Sequence, residues 1–217
     1  MGVTYFLSAN LARVCFSTFG RWKVEGREAV PPRGRLIVVA NHQSNADPPV
    51  VSAAIRRRVW FVGKKELFRN PISALVLNAW GIHPVARNGR DAEGLRWILG
   101  MLEQEQAVAI FPEGTRSPRG MRVANRGVAF IAMKSQATIL PVAITGTEKV
   151  HAMWRVPFPF CRIHVRIGEP FSLPLIEGKL DDAIMDSLTQ MIMMRVAALL
   201  PEEYRGVYGN VTSRPSA

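Results

Sequence analysis

The stretch Asn41-His-Gln-Ser-Asn-Ala-Asp47 sets an imidazole and a carboxylate five positions apart, directly before Pro48-Pro49. Across a loop, that spacing lets Asp47 fold back on His42 and accept its Nδ1–H, leaving Nε2 free to take a proton from a hydroxyl or amine as a general base. Ser44 lies nearby, yet no G-x-S-x-G elbow surrounds it and no other protein nucleophile is evident. A histidine–aspartate pair of this kind implies that the substrate brings the attacking group. Alone, H-x4-D also fits a histidine that merely packs or caps. A second group of residues favours the chemical reading: in Phe111-Pro-Glu-Gly-Thr-Arg-Ser117, Gly114 allows a tight turn, Thr115 and Ser117 offer hydroxyls, and the planar guanidinium of Arg116 matches phosphate oxygens. Glu113 is expected to hold Arg116 or a substrate hydroxyl. Lys64 and Arg87 add two cations which, with Arg116, would build a pocket for a phosphate dianion.

These side chains work together only if the fold delivers them to one place. Arg35-Leu-Ile-Val-Val-Ala40 is a β-branched run that predicts a buried strand, with His42 two residues past its end. Asp47 is expected to cap the following helix, with Pro48 at its first position and Arg56-Arg57-Arg58 at its close, where cations suit the helix dipole. Residues 59–63 predict a strand ending at Lys64, residues 71–80 a helix, and residues 82–86 a strand with Arg87 just beyond. A helical pattern over 91–104 leads to the most strand-like run, 107–111, whose end carries the Glu113–Arg116 group. A helix near 125–135, strands over 138–144 and 161–168, and a long helix closed by Pro201 complete the pattern. Strands alternating with helices predict an α/β domain whose central sheet is mostly parallel and flanked by helices on both faces. Such folds collect ligands beyond the carboxyl ends of their strands, which is where all these residues fall.

With 217 residues, 28 Lys+Arg against 17 Asp+Glu and a formal charge of +11, the chain can bury a substantial core and suits polyanionic partners. Cys15 and Cys161 form no disulfide framework or metal motif, so a reducing setting and no metal site are expected. The first twenty residues lack a basic n-region and a cleavage motif and carry Arg13 mid-way, which argues against a signal peptide or a span. As a helix they set Asn10, Arg13, Ser17 and Arg21 on one stripe, while Phe6, Leu7, Leu11, Val14, Cys15 and Phe19 cover much of the rest. That pattern fits an N-terminal amphipathic helix lying in a membrane interface, and fits equally a helix packed on its own domain. The expected division is residues 1–24 as interface helix and 25–217 as catalytic domain. Trp154, Phe158 and Phe160, and Met185 to Met194, are read as core; His83, His151 and His164 as structural or surface residues.

At this point the blocks resemble a known family. Asn41–Asp47, Phe111–Ser117 and Leu140–Gly146 match, in order and spacing, the blocks of the 1-acylglycerol-3-phosphate (lysophosphatidate) acyltransferases within the glycerolipid acyltransferase superfamily. Lys64, Leu67 and Arg87 match a fourth, K-x2-L-x6-G-x12-R, with Ala74 in place of its glycine. The resemblance implies a glycerolphosphate acyltransferase-like fold and transfer of an acyl group from acyl-CoA or acyl carrier protein to the sn-2 hydroxyl of lysophosphatidate. It implies no cofactor, metal or covalent acyl-enzyme. His42 would be the general base and Asp47 its orienter; Lys64, Arg87 and Arg116 would clamp the phosphate; Glu113, Gly114 and Thr115 would shape the glycerol site. Backbone N–H groups in the loop after Ala40 are candidates to hold the tetrahedral oxyanion. The family's membrane association implies a peripheral or monotopic protein on the cytoplasmic face of the cell membrane, aided by attraction to anionic lipid. Two alternatives remain open: a superfamily relative acting on another lyso-lipid or on glycerol 3-phosphate, and a non-catalytic anionic-lipid binding protein. Nucleic-acid binding is not supported, because no recognisable module accompanies the charge.

Overall fold

Leu36–Ala40 is apolar at every position, as a strand covered on both faces must be, and in the computed structural model it is the fully buried strand β2. The structure describes residues 3–85, 92–150, 152–176 and 181–209. Among them one seven-stranded sheet forms, from β1 (Arg21–Glu25), β2, β3 (Val59–Lys64), β4 (Ile82–Val85), β5 (Ala107–Ile110), β6 (Thr138–Thr145) and β7 (Arg162–Ile167), in the order β1-β7-β6-β2-β5-β3-β4. Strands β2 to β6 are parallel; β7 runs antiparallel to β6, and β1 pairs parallel with β7. Helices α1 (Val3–Phe19), α2 (Asp47–Ala54), α3 (Pro71–Ala79), α4 (Ala92–Glu103), α5 (Gly127–Ser135) and α6 (Asp182–Leu199) cover the sheet.

The period-2 alternation of the strands divides the core in two. Ile37, Val39 and Val108 face α4, α5 and α6, whereas Leu36, Val38, Ala40 and Ala109 face α1 and α2. Met185 and Met193 are buried in the first cluster as expected and Met194 packs against it, whereas Met191 is exposed on the outer side of the last helix.

Helix α1 packs on its own domain through one face and leaves an apolar face outside. Tyr5, Ala9, Ala12 and Phe16 recur at helical spacing and are buried, and burying a ring such as Phe16 stabilises by about 1.5–3 kcal/mol. The Tyr5 hydroxyl accepts the Val59 N–H at 3.0 Å, and Arg13 donates to the Ala53 carbonyl at 2.8 Å, so this arginine faces the domain. Val3, Phe6, Leu7, Leu11 and Val14, on the outer face, are 51–72% exposed.

Four expectations change. Arg21–Glu25 is an edge strand whose Trp22 and Val24 pack inward, so the division drawn at residue 24 cuts through the sheet. Asp47 is the first residue of α2, not its cap; Ala46 takes that place and the carboxylate turns back into the preceding loop. Helix α2 stops at Ala54, before the arginines: Arg57 donates to the Pro31, Gly34 and Glu105 carbonyls, and Arg58 lies 3.7 Å over the Trp60 ring. Trp154, Phe158 and Phe160 are exposed, not core, because the segment leaves the sheet after β6; the Phe19 ring at the end of α1 packs on Phe158 and Phe160 with centroids 4.8 and 5.9 Å away. Ala74 lies inside α3, where a Cβ is tolerated without backbone strain.

Candidate active site

The carboxyl ends of β2, β5 and β6 are neighbours, and the loops leaving them build the site. Asn41 continues the sheet with its side chain: Nδ2 donates to the Ile144 carbonyl at 2.9 Å and Oδ1 accepts the Ile144 N–H at 2.8 Å. This copies a backbone pair and fixes where His42 leaves β2. Glu113, past the end of β5, then joins two loops. One carboxylate oxygen accepts the His42 N–H at 2.9 Å, the other accepts the Arg122 N–H at 2.9 Å, and the Ser117 N–H donates to the His42 carbonyl at 2.7 Å. Burial pushes the Glu113 carboxyl above its usual range, while these two backbone N–H groups pull it back. Among the described residues Glu113 forms no pair with Arg116; its two oxygens accept backbone N–H groups of two different loops instead.

Asp47 is fully buried and its carboxylate is surrounded by donors. Oδ2 accepts the Gln43 N–H at 2.6 Å and the Ser44 N–H at 2.8 Å, and lies 2.7 Å from His42 Nδ1; Oδ1 accepts the Thr147 hydroxyl at 2.6 Å. Backbone N–H groups can only donate, so Oδ2 acts as an acceptor and the hydrogen shared with His42 sits on Nδ1. The neutral ring thus carries its lone pair on Nε2. Phe111 stacks on the imidazole at 4.3 Å and 23°, fixing the ring plane, and the His42 side chain keeps 18% exposure. The result is an oriented base that a substrate can still reach.

Gly114 adopts φ +66°, the left-handed conformation that suits glycine, and turns the chain so that Thr115 and Arg116 are exposed. They border a cavity of about 280 Å³ together with Gln43, Ser44, Asn45 and Glu148. Among the described residues Arg116 forms no hydrogen bond or ion pair. Lys64 is exposed at the end of β3, two strands from β2 and so on the order of 10 Å away on the far side of β5; it does not line this cavity. Arg87 lies outside the described residues. The structure thus brings His42, Asp47, Glu113, Thr115 and Arg116 together and leaves Lys64 apart from them.

Of the loop N–H groups after Ala40 that were candidates for an oxyanion, those of His42, Gln43 and Ser44 donate to Glu113 and Asp47, while that of Asn45, at the border of the cavity, forms no hydrogen bond among the described residues. The N–H groups of Thr115 and Arg116 form no hydrogen bond among the described residues. Asn41, Phe111 and Thr147 went unassigned from sequence; the one available signal was their position, like that of His42, at or just past a strand's carboxyl end. Of the other histidines, His83 stacks on Trp97 and His164 lies 3.2 Å from Glu25, both away from the site, and His151 lies outside the described residues.

Comparison with known proteins agrees with this geometry. Residues 21–145 match the family model described as Acyltransferase. A 1-acyl-sn-glycerol-3-phosphate acyltransferase of Bacillus subtilis is 26% identical over 76% of this chain and 81% of its own length. One from Streptococcus pneumoniae is 26% identical over 82% and 66%, and the bovine alpha form 28% identical over 69% and 54%. The crystal structure of the 1-acyl-sn-glycerophosphate acyltransferase of Thermotoga maritima superposes with a TM-score of 0.70, covering 98% of this chain and 81% of that one at 24% identity, a likeness of fold. The matched segment holds β1 to β6 with His42, Asp47, Glu113 and Arg116, and on that ground the chain belongs to the acyltransferase family.

Proposed function

We propose that the enzyme transfers a fatty acyl group from an acyl thioester, acyl-CoA or acyl carrier protein, to the sn-2 hydroxyl of 1-acylglycerol 3-phosphate, giving phosphatidate for phospholipid biosynthesis. One observation carries this reading: an imidazole with its lone pair on Nε2, to which no serine, threonine or cysteine among the described residues is hydrogen-bonded, on the loop that also borders the Arg116 cavity. A hydroxyl is a poor nucleophile at neutral pH. His42 takes its proton as the oxygen attacks the thioester carbonyl, Asp47 stabilises the imidazolium, and the imidazolium returns the proton to the departing thiolate; such transfer contributes ~10²–10⁴ in rate. The free N–H groups of Thr115 and Arg116 are the donors at hand for the tetrahedral oxyanion. Arg116 holds the phosphate monoester, Lys64 adds positive potential from the end of β3, and Arg87 is the further cation that the family resemblance implies. Gly114 and Thr115 border the glycerol, and Glu113 acts by joining their loop to His42. The chemistry calls for no metal and no cofactor beyond the thioester.

The acceptor and product are lipids, and the exposed apolar face of α1, with Trp154, Phe158 and Phe160, is suited to dip into a bilayer interface, aided by the net charge of +11 on anionic lipid. Among the described residues no helix is long and apolar enough to cross a membrane. A peripheral place on the cytoplasmic face follows from where acyl thioesters are found. The test is thiol release by the purified chain with acyl-CoA and acyl carrier protein donors and a panel of acceptors. Lysophosphatidate is expected to react at least tenfold faster than lysophospholipids lacking a phosphate monoester, or glycerol 3-phosphate; equal rates across the panel, or no thiol release with any donor, would refute the reading.

A further inference from the structure

We propose that Thr147 is a positioning residue of the reaction: its hydroxyl locks the Asp47 carboxylate and thereby the tautomer of His42. The inference rests on the proposed role of His42 as general base. Thr147 lies just past the carboxyl end of β6, a hundred residues from Asp47, and is fully buried. The donors on Asp47 Oδ2 come from the aspartate's own loop, the Gln43 and Ser44 N–H groups and His42 itself. They hold one oxygen and leave the carboxylate able to pivot about it. Among the described residues Thr147 alone donates to Oδ1, and it does so from the segment that follows another strand of the sheet.

The surroundings allow the Thr147 proton one good destination. Its Oγ1 lies 2.6 Å from Asp47 Oδ1 and 3.3 Å from the Gln43 amide. Placed to satisfy its neighbours, the Gln43 amide nitrogen faces Thr147 Oγ1 at 3.3 Å, the Ile144 carbonyl at 3.1 Å and Glu148 Oε2 at 3.2 Å, so it donates to the threonine and leaves the hydroxyl proton for Asp47. The backbone beneath is equally constrained. Gly146 adopts φ +91°, and a Cβ there would lie 1.7 Å from the Arg162 carbonyl oxygen, which keeps the turn into Thr147 in one conformation. Without the hydroxyl, a buried carboxylate oxygen would lose the one donor it has among the described residues and the carboxylate could rotate, so that Asp47 would no longer hold Nδ1–H in place.

The test compares Thr147→Val, which keeps the shape and removes the hydroxyl, with Thr147→Ser, which keeps the donor. Thr147→Val should lower kcat on the order of 10–100-fold, as for hydrogen bonds that orient metal-bound imidazoles, with KM for the acceptor within about twofold and the thermal transition retained. Thr147→Ser should restore most of the loss. In an Asp47→Asn background Thr147→Val should cost less than about twofold, because the group it positions is already gone. Imidazole ¹⁵N spectra should show His42 protonated on Nδ1 in the wild type and a mixture of tautomers in Thr147→Val. Full activity in Thr147→Val, an undiminished loss in the Asp47→Asn background, or an unchanged tautomer would each overturn the proposal. Should the valine chain fail to fold, Thr147→Cys, whose S–H is a weak donor, is read by the same criteria. The spectra need no substrate, so a wild type inactive on lysophosphatidate would refute the proposed acceptor while the tautomer still tests Thr147.

Discussion

His42 and Arg116 occupy adjoining loops at one sheet edge and are built in opposite ways. Around His42, Asp47 accepts four donors, Glu113 joins two loops, and Phe111 stacks on the ring. Arg116 is exposed on the border of an open cavity and, among the described residues, unpaired. The difference matches the roles proposed for the two groups. A base works in a single orientation, and an imidazole free to turn would spend much of its time with the wrong nitrogen toward the substrate, so its partners belong to the fold and are in place before the substrate arrives. A phosphate ligand has to exchange water for lipid headgroup at every turnover, and a guanidinium already tied to a carboxylate would have to break that pair first.

The comparison breaks most readily at the base. His42→Ala should reduce acyl transfer by about 10³-fold or more with the thermal transition within a few degrees of wild type, because the ring lies at the rim of the core; an active variant measured by thiol release would remove His42 from the mechanism. Arg116 sharpens the other side. Arg116→Ala should raise KM for lysophosphatidate about 10–100-fold, the range for losing a hydrogen bond to a charged group, with little change in stability, and Arg116→Lys should recover part of it as a point charge without the fork. A loss confined to kcat would mean that Arg116 acts on the reacting atoms and not on the headgroup.

The smallest effect concerns the wall of the same cavity. The Tyr204 hydroxyl donates to Glu148 at 3.1 Å, and burial, with the nearby Glu148 charge, pushes its pKa up to about 12. Because the folded value is raised, the stability contributed by the protonated phenol is fully present below about pH 10, where an unfolded tyrosine begins to ionise, and is lost as pH rises toward 12. Urea denaturation at pH 9 and pH 11 should therefore show a smaller alkaline loss for Tyr204→Phe than for wild type. Equal losses would detach this wall from Glu148.

The legible part of the site was local in the chain. His42 and Asp47 could be paired from spacing because a single loop closes the contact, and the strand runs, helix periods and Gly114 were readable because each follows from a few neighbouring residues. The partners of Glu113 and of the His42, Gln43 and Ser44 N–H groups are not legible in the sequence for a shared reason: which donors and acceptors meet depends on how loops and strands adjoin. Nothing in Phe111–Ser117 reveals that β5 lies beside β2, and so nothing there tells Glu113 to take the His42 N–H before it can reach Arg116. The exposed Trp154, Phe158 and Phe160 were misjudged similarly, since an aromatic cluster reads as core unless one knows that the chain has left the sheet.

From its residues alone this protein determined an alternating α/β fold, a histidine aligned by an aspartate, and cations at strand ends, because hydrophobic period and short-range loop chemistry are properties of neighbouring positions. Tertiary structure decided that Arg116 and not Lys64 borders the cavity beside the His42 loop, that Thr147 donates to the second oxygen of Asp47, and that α1 keeps one apolar face uncovered. Those outcomes depend on strand order, and strand order is settled by packing both faces of the sheet at once, which no single stretch of chain encodes.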